Sequence, residues 1–304
     1  METAIGVLCT RVRVEEKGII AALAAAGIPA IPFPPSDLVL VPGSKPSCPS
    51  HPPGAVAGPN DIALHVVIDR CPNRVLAAAV LPIWRSMGVA MLDAGLAATG
   101  TRAAVAAAFG AAGLPRPETR LVCGEEAALA AAVDLGYPVT LLPMTPGGAS
   151  VVLWDHDTAE AVTEHRAMLG ATHDSVVLLQ AGAPAEADRA TVLVLDGHAI
   201  AAGGAAAAGE AERKLAEAAV LVLGASLASV EVIKSADGPL IWDVDPVPSF
   251  RGMTPFGEHD HGQVIAARAV ERLPHHGSLG SVVRLELAAA SWSQGVADGI
   301  SVAV

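Results

Sequence analysis

Apolar and polar positions alternate along this chain in a repeating order of short β-type runs and longer helical runs. Ala4 to Cys9 is a compact apolar run of strand length. Val14 to Ala26 follows with helical spacing and stops at Gly27, and Pro29 to Phe33 begins a second strand. A strand, a helix and a strand in that order predict a βαβ unit and a parallel sheet. Leu64 to Ile68, a helix from about Val75 to Met87, and Val89 to Leu92 extend the same pattern. The stretch 34–60 between them is rich in proline and is expected to be a loop or insertion, long for a connection inside a compact domain.

From residue 97 the pattern changes. Thr101 to Ala112 and Gly124 to Leu135 are helical runs, set among strand-like runs at Thr119 to Val122, Val139 to Leu142 and Val151 to Trp154. A helix from Thr158 to Leu169 completes a small α+β unit. Strands at Ser175 to Gln180, Ala190 to Leu195, His198 to Ala201, Ser229 to Ile233 and Leu240 to Val244 then surround one helix, about Gly209 to Leu223. Asp196-Gly197 and Asp237-Gly238 are hairpin turns between apolar runs. A helix near Gly262 to Leu273 and a tail, 275–304, end the chain. The expected fold class is mixed α/β and α+β in three lobes: an open α/β lobe (1–96), a small α+β lobe (97–174) and a β-rich C-terminal lobe with the tail (175–304).

Composition narrows the function classes. The 304 residues are 52% hydrophobic, which excludes a disordered chain. No apolar run reaches ~18 residues with helical character, so no membrane partner is expected. The start reads as a strand and not as a signal peptide. Four scattered cysteines, Cys9, Cys48, Cys71 and Cys123, are expected to be reduced thiols in a cytoplasmic protein. A net charge of −12 with 3% aromatic residues speaks against nucleic acid, which needs basic patches and stacking platforms. The consecutive Glu258-His259-Asp260-His261 cannot all face one ion and are expected in a solvated loop. No GxSxG occurs, and no histidine is placed by sequence to activate Cys71.

An ordered series of segments carries a family resemblance. It opens with Thr10-Arg11-Val12-Arg13-Val14-Glu15-Glu16-Lys17 and continues with Asp69-Arg70-Cys71 and Ala112-Gly113-Leu114-Pro115-Arg116-Pro117. Gly136-Tyr137-Pro138-Val139, Asp196-Gly197-His198-Ala199-Ile200-Ala201 and Leu240-Ile241-Trp242-Asp243-Val244-Asp245 complete it, over roughly residues 3 to 273. The chain resembles the RimK-like ATP-grasp ligases, in particular the LysX-like members that join α-aminoadipate to a carrier protein in lysine biosynthesis. The resemblance implies an ATP-grasp architecture with a pre-ATP-grasp first lobe, ATP held between the small lobe and the last lobe, and Mg²⁺ on the phosphates. It also implies amide-bond formation through an acyl-phosphate. An acidic amino-acid substrate, a small carrier protein and a homo-oligomer are the partners it leaves open.

Residue by residue, the resemblance places Arg102 where the family has a nucleotide lysine. It places Gly147 and Gly148 in the phosphate loop, a segment that reads equally as a plain hairpin turn, and Gln180 at the adenine edge. Glu231, Asp243 and Asp245 fall on the metal positions and read equally as rim carboxylates. Arg251 is placed to meet a substrate carboxylate, or is a solvated arginine. Other positions depart from the pattern. Leu142 stands for the second lysine, and no lysine occurs from 46 to 213. Ala181 replaces an acidic hinge residue, Thr191 an arginine, and the segment after Ala201 is shortened. A phosphate site needs fixed cations and N–H groups around developing charge. Two readings therefore stand: a ligase with an altered nucleotide site, or a noncatalytic homologue acting as a binding or scaffold subunit.

Overall fold

The computed structural model describes residues 3–38, 47–48, 62–95, 99–168 and 176–274. Most of the proline-rich insertion and the tail from 275, with His275 and His276, lie outside the described residues. Residues Met1–Leu273 form one compact unit, and the chain beyond it a second.

The first sheet is built from β1 (Thr3–Leu8), β2 (Ala30–Phe33), β3 (Ser47–Cys48), β4 (Ile62–Asp69) and β5 (Ala90–Leu92). Strands β1, β2, β4 and β5 pair in parallel, as the βαβ pattern requires, and β3 adds an antiparallel pair at Ser47 and Cys48. The periodicity reading had taken β3 for loop, since two residues carry no alternation. Helix α1 (Val14–Ala25) starts where Glu16 accepts from the Arg13 amide at 2.8 Å. Helix α2 (Arg74–Ser86) starts where Asn73 caps the Leu76 amide at 3.1 Å. One face of the sheet packs on α2 through Leu64, Val67, Leu81 and Trp84, all fully buried.

Helix α3 (Arg102–Ala111), capped by Thr101, leads into the second sheet. That sheet joins β6 (Thr119–Cys123), β7 (Val139–Pro143), β8 (Val151–Leu153) and β9 (Val176–Ala181) in the order β6-β9-β7-β8, all antiparallel. Helices α4 (Glu125–Leu135) and α5 (His156–Met168) cover it.

The third sheet holds β10 (Arg189–Leu195), β11 (His198–Gly204), β12 (Leu227–Ser235), β13 (Gly238–Asp245) and β14 (Thr254–Pro255) in the order β13-β12-β10-β11-β14. Every pairing is antiparallel, and both Asp-Gly turns join hairpins as expected. One face, with Val192, Val194, Val230 and Val244, packs on α3 and helix α6 (Glu210–Val222). The other face, through Leu193 and Leu195, joins the first sheet, α1 and helix α7 (His261–Glu271) in one core.

Helix α7 accounts for the acidic and histidine run. Asp260 caps the helix by accepting from Gly262 N–H at 3.0 Å, and His261 is buried beside Phe250. The expectation of a solvated loop holds for the exposed Glu258, His259 and Asp260 and fails at His261, because the capping aspartate starts a helix there.

Two segments of the resemblance meet at the junction of the first and third sheets. Glu16 and Arg70 are both fully buried and paired at 2.9 Å. Arg13 adds a second bond to Glu16 at 2.9 Å. Arg70 also donates to the Pro248 carbonyl at 2.8 Å and lies 5.3 Å from the Phe250 ring centre. Ser249 donates to Glu15 at 2.6 Å. The 247–250 turn of the last lobe is thereby fastened to the first. Asp69 accepts from Arg74 at 2.8 Å and from the Cys71 amide, which makes 69–74 a self-bonded corner.

Candidate functional site

Side chains two apart on a strand share a face, so cross-strand register decides which polar groups of the third sheet come together. Thr191 lies opposite Gly203 on one side and Glu231 on the other, and Glu231 lies opposite Asp243. Two residues along, Leu193 lies opposite Ala201 and Ser229, and Ser229 opposite Asp245. The face that is apolar over the junction core therefore turns polar at its end. There it lines a cavity of about 340 Å³ with Glu231, Asp243, Asp245, Ser229, Arg251 and Thr191.

Two of the three carboxylates have internal counter-ions. Glu231 accepts from Arg189 at 2.9 Å, and Arg189 also donates to the Pro184 carbonyl at 3.1 Å and faces the Trp242 ring at 5.6 Å. Burial raises the Glu231 carboxyl above its ordinary range, against the pull of Arg189. Asp243 takes a two-pronged contact from Arg102, at 3.0 Å from Nε and 2.6 Å from Nη2. Asp245 has no such partner among the described residues. It accepts from the Val247 amide at 2.9 Å, and burial pushes its carboxyl upward.

Arg102 is 4% exposed. Its remaining donors go to the Pro143, Thr145 and Gly148 carbonyls at 2.8, 3.0 and 2.9 Å. A guanidinium has five N–H donors, and here each has an acceptor within the protein. The arginine ties α3, the β7–β8 turn and β13 into one clamp. Within that turn the Gly148 amide donates to Thr145 O at 3.2 Å, with Gly147 at φ 77°. The positive φ at the third residue of such a turn calls for glycine. A Cβ on Gly148 would stand 3.0 Å from Pro143 Cγ and 3.1 Å from Thr145 O. Both glycines thus have a structural reason in the hairpin itself.

The space between the second and third sheets is narrow. Leu142, Leu178 and Gln180 face Ile241 and Trp242 across about 30 Å³ of free volume. Gln180 Nε2 donates to the Trp242 carbonyl at 3.1 Å, and the Ile241 amide donates to Pro115 O at 2.9 Å. Replacing Gln180 by Leu leaves that carbonyl without its partner, and we expect a loss of about 1–2 kcal/mol in urea unfolding.

The ligand set expected for a magnesium nucleotide can be tested on these groups. Among the described residues no three acidic, histidine or cysteine side chains converge as metal ligands. Glu231 and Asp243 are engaged by arginines, Arg102 has no donor left for a phosphate, and the narrow slot beside Gln180 is bridged by its bond to the Trp242 carbonyl. The residues as arranged do not fit the nucleotide. Arg251, by contrast, is exposed at the cavity and has no bonded partner among the described residues. Neither Arg189 nor Ser229 is among the candidate residues that the sequence offers. Only the strand register brings both to the site.

The parallel first sheet, the small antiparallel sheet and the larger antiparallel sheet with its polar end define an ATP-grasp fold. The chain shares this fold with solved ATP-grasp ligases. It is similar to a RimK domain ATP-grasp protein from Sphaerobacter thermophilus, with 29% identity over 88% of this chain and 99% of that one, at a TM-score of 0.71. The ATP-grasp ligase PsnB bound to a minimal precursor matches at 18% identity, 90% and 100% coverage and a TM-score of 0.65. D-alanine–D-alanine ligase from Bacillus anthracis, complexed with ATP, matches at 13% identity, 82% and 87% coverage and a TM-score of 0.57. No protein-family model matches the sequence, and no curated protein sequence does. Among the described residues no helix is long and apolar enough to cross a membrane.

Proposed function

We propose that this chain is a noncatalytic member of the ATP-grasp ligase lineage that binds a small ligand or a protein partner without nucleotide. One observation carries the reading: Arg102, at the nucleotide-lysine position, has every N–H bonded inside the protein and grips Asp243, a metal position. Phosphate would have to break that clamp to gain the Arg102 charge, and a metal ion would have to share Asp243 with it. Leu142, 3% exposed, fills the place of the second lysine with packed apolar surface. The three sheets support the division into lobes 1–96, 97–174 and 175–304.

The alternative is a working carboxylate–amine ligase of RimK-like or LysX-like type, and the 29% identity to a RimK domain protein across nearly the whole chain favours it. Calorimetric titration with ATP, with and without Mg²⁺, separates the two. We expect no binding at roughly millimolar ATP, a limit near −4 kcal/mol. Magnesium-dependent binding in the micromolar range would restore the ligase reading.

A further inference from the structure

Arg70, Arg74 and Arg102 are the buried arginines among the described residues, and they differ in which donors are left over. Arg102 has every N–H bonded. Arg70 leaves Nη1 alone without an acceptor, and its other nitrogens go to Glu16 and the Pro248 carbonyl. Arg74 leaves both Nε and Nη2. Its Nη1 donates to Asp69 at 2.8 Å and to the Cys71 carbonyl at 3.1 Å, and its side chain is 1% exposed. Nε and Nη2 are the same edge by which Arg102 takes hold of Asp243, two parallel donors spaced for two oxygens. Buried donors are normally bonded, so a whole edge left open on a buried cation points to a missing acceptor.

The surroundings of that edge narrow what the acceptor is. The bonds to Asp69 and Cys71 hold the guanidinium at the N-terminal end of α2, a 13-residue helix with no acidic side chain in its first turn. The partial positive charge of a helix start favours an anion. Each Asp69 oxygen already accepts a bond, one from Arg74 and one from the Cys71 amide, so the corner has donors to spare and not acceptors. Arg74 lies one layer below the surface, since Pro72, Asn73, Val75 and Leu76 on either side of it are exposed. None of these residues lines the cavity of the third sheet. We infer that Arg74 and the start of α2 form a binding site for a small oxyanion, a carboxylate or phosphate group seated on the Nε–Nη2 edge. Asp69 balances the guanidinium in the empty site, and the helix end offsets the second negative charge when the anion binds. The site works in the same way whether or not the cavity takes nucleotide.

The test is thermal unfolding and calorimetry on the full chain, with sodium acetate, succinate, phosphate and sulfate set against sodium chloride at equal ionic strength. At least one oxyanion should raise the unfolding midpoint in a saturable way where chloride does not. The first two salts against the last two distinguish a planar from a tetrahedral ligand. Arg74→Lys keeps a cation beside Asp69 but has no two-donor edge, and should weaken binding about 10-fold. Val75→Glu changes a residue that is 77% exposed, leaves the core intact, and should weaken binding about 5-fold by repulsion. Asp69→Asn removes the competing charge and should tighten binding about 5-fold, an effect that a purely structural Arg74 would not produce. In ¹⁵N spectra the Arg74 Nε–H signal should move with added anion and saturate at the concentration that calorimetry gives. No response beyond that of chloride up to about 50 mM overturns the inference. So does a saturable response that Arg74→Lys and Val75→Glu leave unchanged, or one during which the Arg74 Nε–H signal stays still.

Discussion

Glu16→Gln is expected to lower the stability of the folded unit by about 3–5 kcal/mol, because it strands a buried cation. Arg70 has no exposed side-chain surface and its direct carboxylate partner is Glu16, whereas Arg13 is 31% exposed and can turn to water. Urea unfolding measures the loss, and in a heating scan it should lower the midpoint by on the order of 10 °C for a chain of this size. Glu15→Gln keeps a polar atom facing Ser249 and should cost under ~1 kcal/mol. The same pair predicts a pH dependence. Burial alone would raise the Glu16 carboxyl, yet the bonds from Arg13 and Arg70 hold it at about 2, below the ordinary 4.5. A folded-state pKa below the unfolded one gives stability that is complete above about 4.5 and is lost as pH falls toward about 2. Glu16→Gln should therefore flatten the acid limb of the stability curve. An unchanged acid limb would show that the carboxylate is not held by its arginines.

That network explains what in the sequence could be read and what could not. Thr10 to Lys17 and Asp69 to Cys71 supplied the most distinctive part of the family resemblance, and they identify the fold correctly. Their side chains, however, fasten the first lobe to the 247–250 turn and do not line the cavity. A motif of charged residues beside a strand looks the same in one dimension whether it holds a ligand or a neighbouring lobe. The strand and helix pattern was legible because apolar periodicity is local. Strands β10 to β13, with their Asp-Gly turns, fall where alternation and turn chemistry place them. The two-residue strands β3 and β14 were not, since each exists only through its partner.

The candidate residues divide between the cavity and the packing around it, and their pairing was not legible in the sequence. Glu231, Asp243, Asp245 and Arg251 do line one cavity. The sequence could not report that Arg189 reaches Glu231 across the β10–β12 ladder, because a pairing of positions 42 apart depends on register. Nor could it report that Arg102 meets Asp243, 141 positions away. Replacing a lysine by arginine keeps the charge but changes what it can do. The planar fork takes several carbonyls and a carboxylate at once, where an ammonium is a compact, mobile point charge. In this chain the fork of Arg102 is spent on a fastening between α3, the β7–β8 turn and β13.

The clamp itself yields the second large effect. Arg102→Met should destabilise the protein by about 3–5 kcal/mol, since it removes a buried cation and leaves Asp243 and three carbonyls without their donors. Asp243→Asn should cost less, about 1–2 kcal/mol, because Asp243 is 23% exposed and water can take part of the arginine's charge. A double-mutant cycle should return a coupling of about 2 kcal/mol, within the range of residues in direct contact. Hydrogen exchange adds a spatial readout: Arg102→Met should speed exchange in 139–153 and 238–245 together, the two segments the guanidinium joins. A coupling below about 0.5 kcal/mol, with exchange altered in one segment only, would mean that the arginine is held by the turn and is free to leave Asp243. Asp243 would then be available to a cation from solution, and the nucleotide-free reading would lose the contact on which it stands.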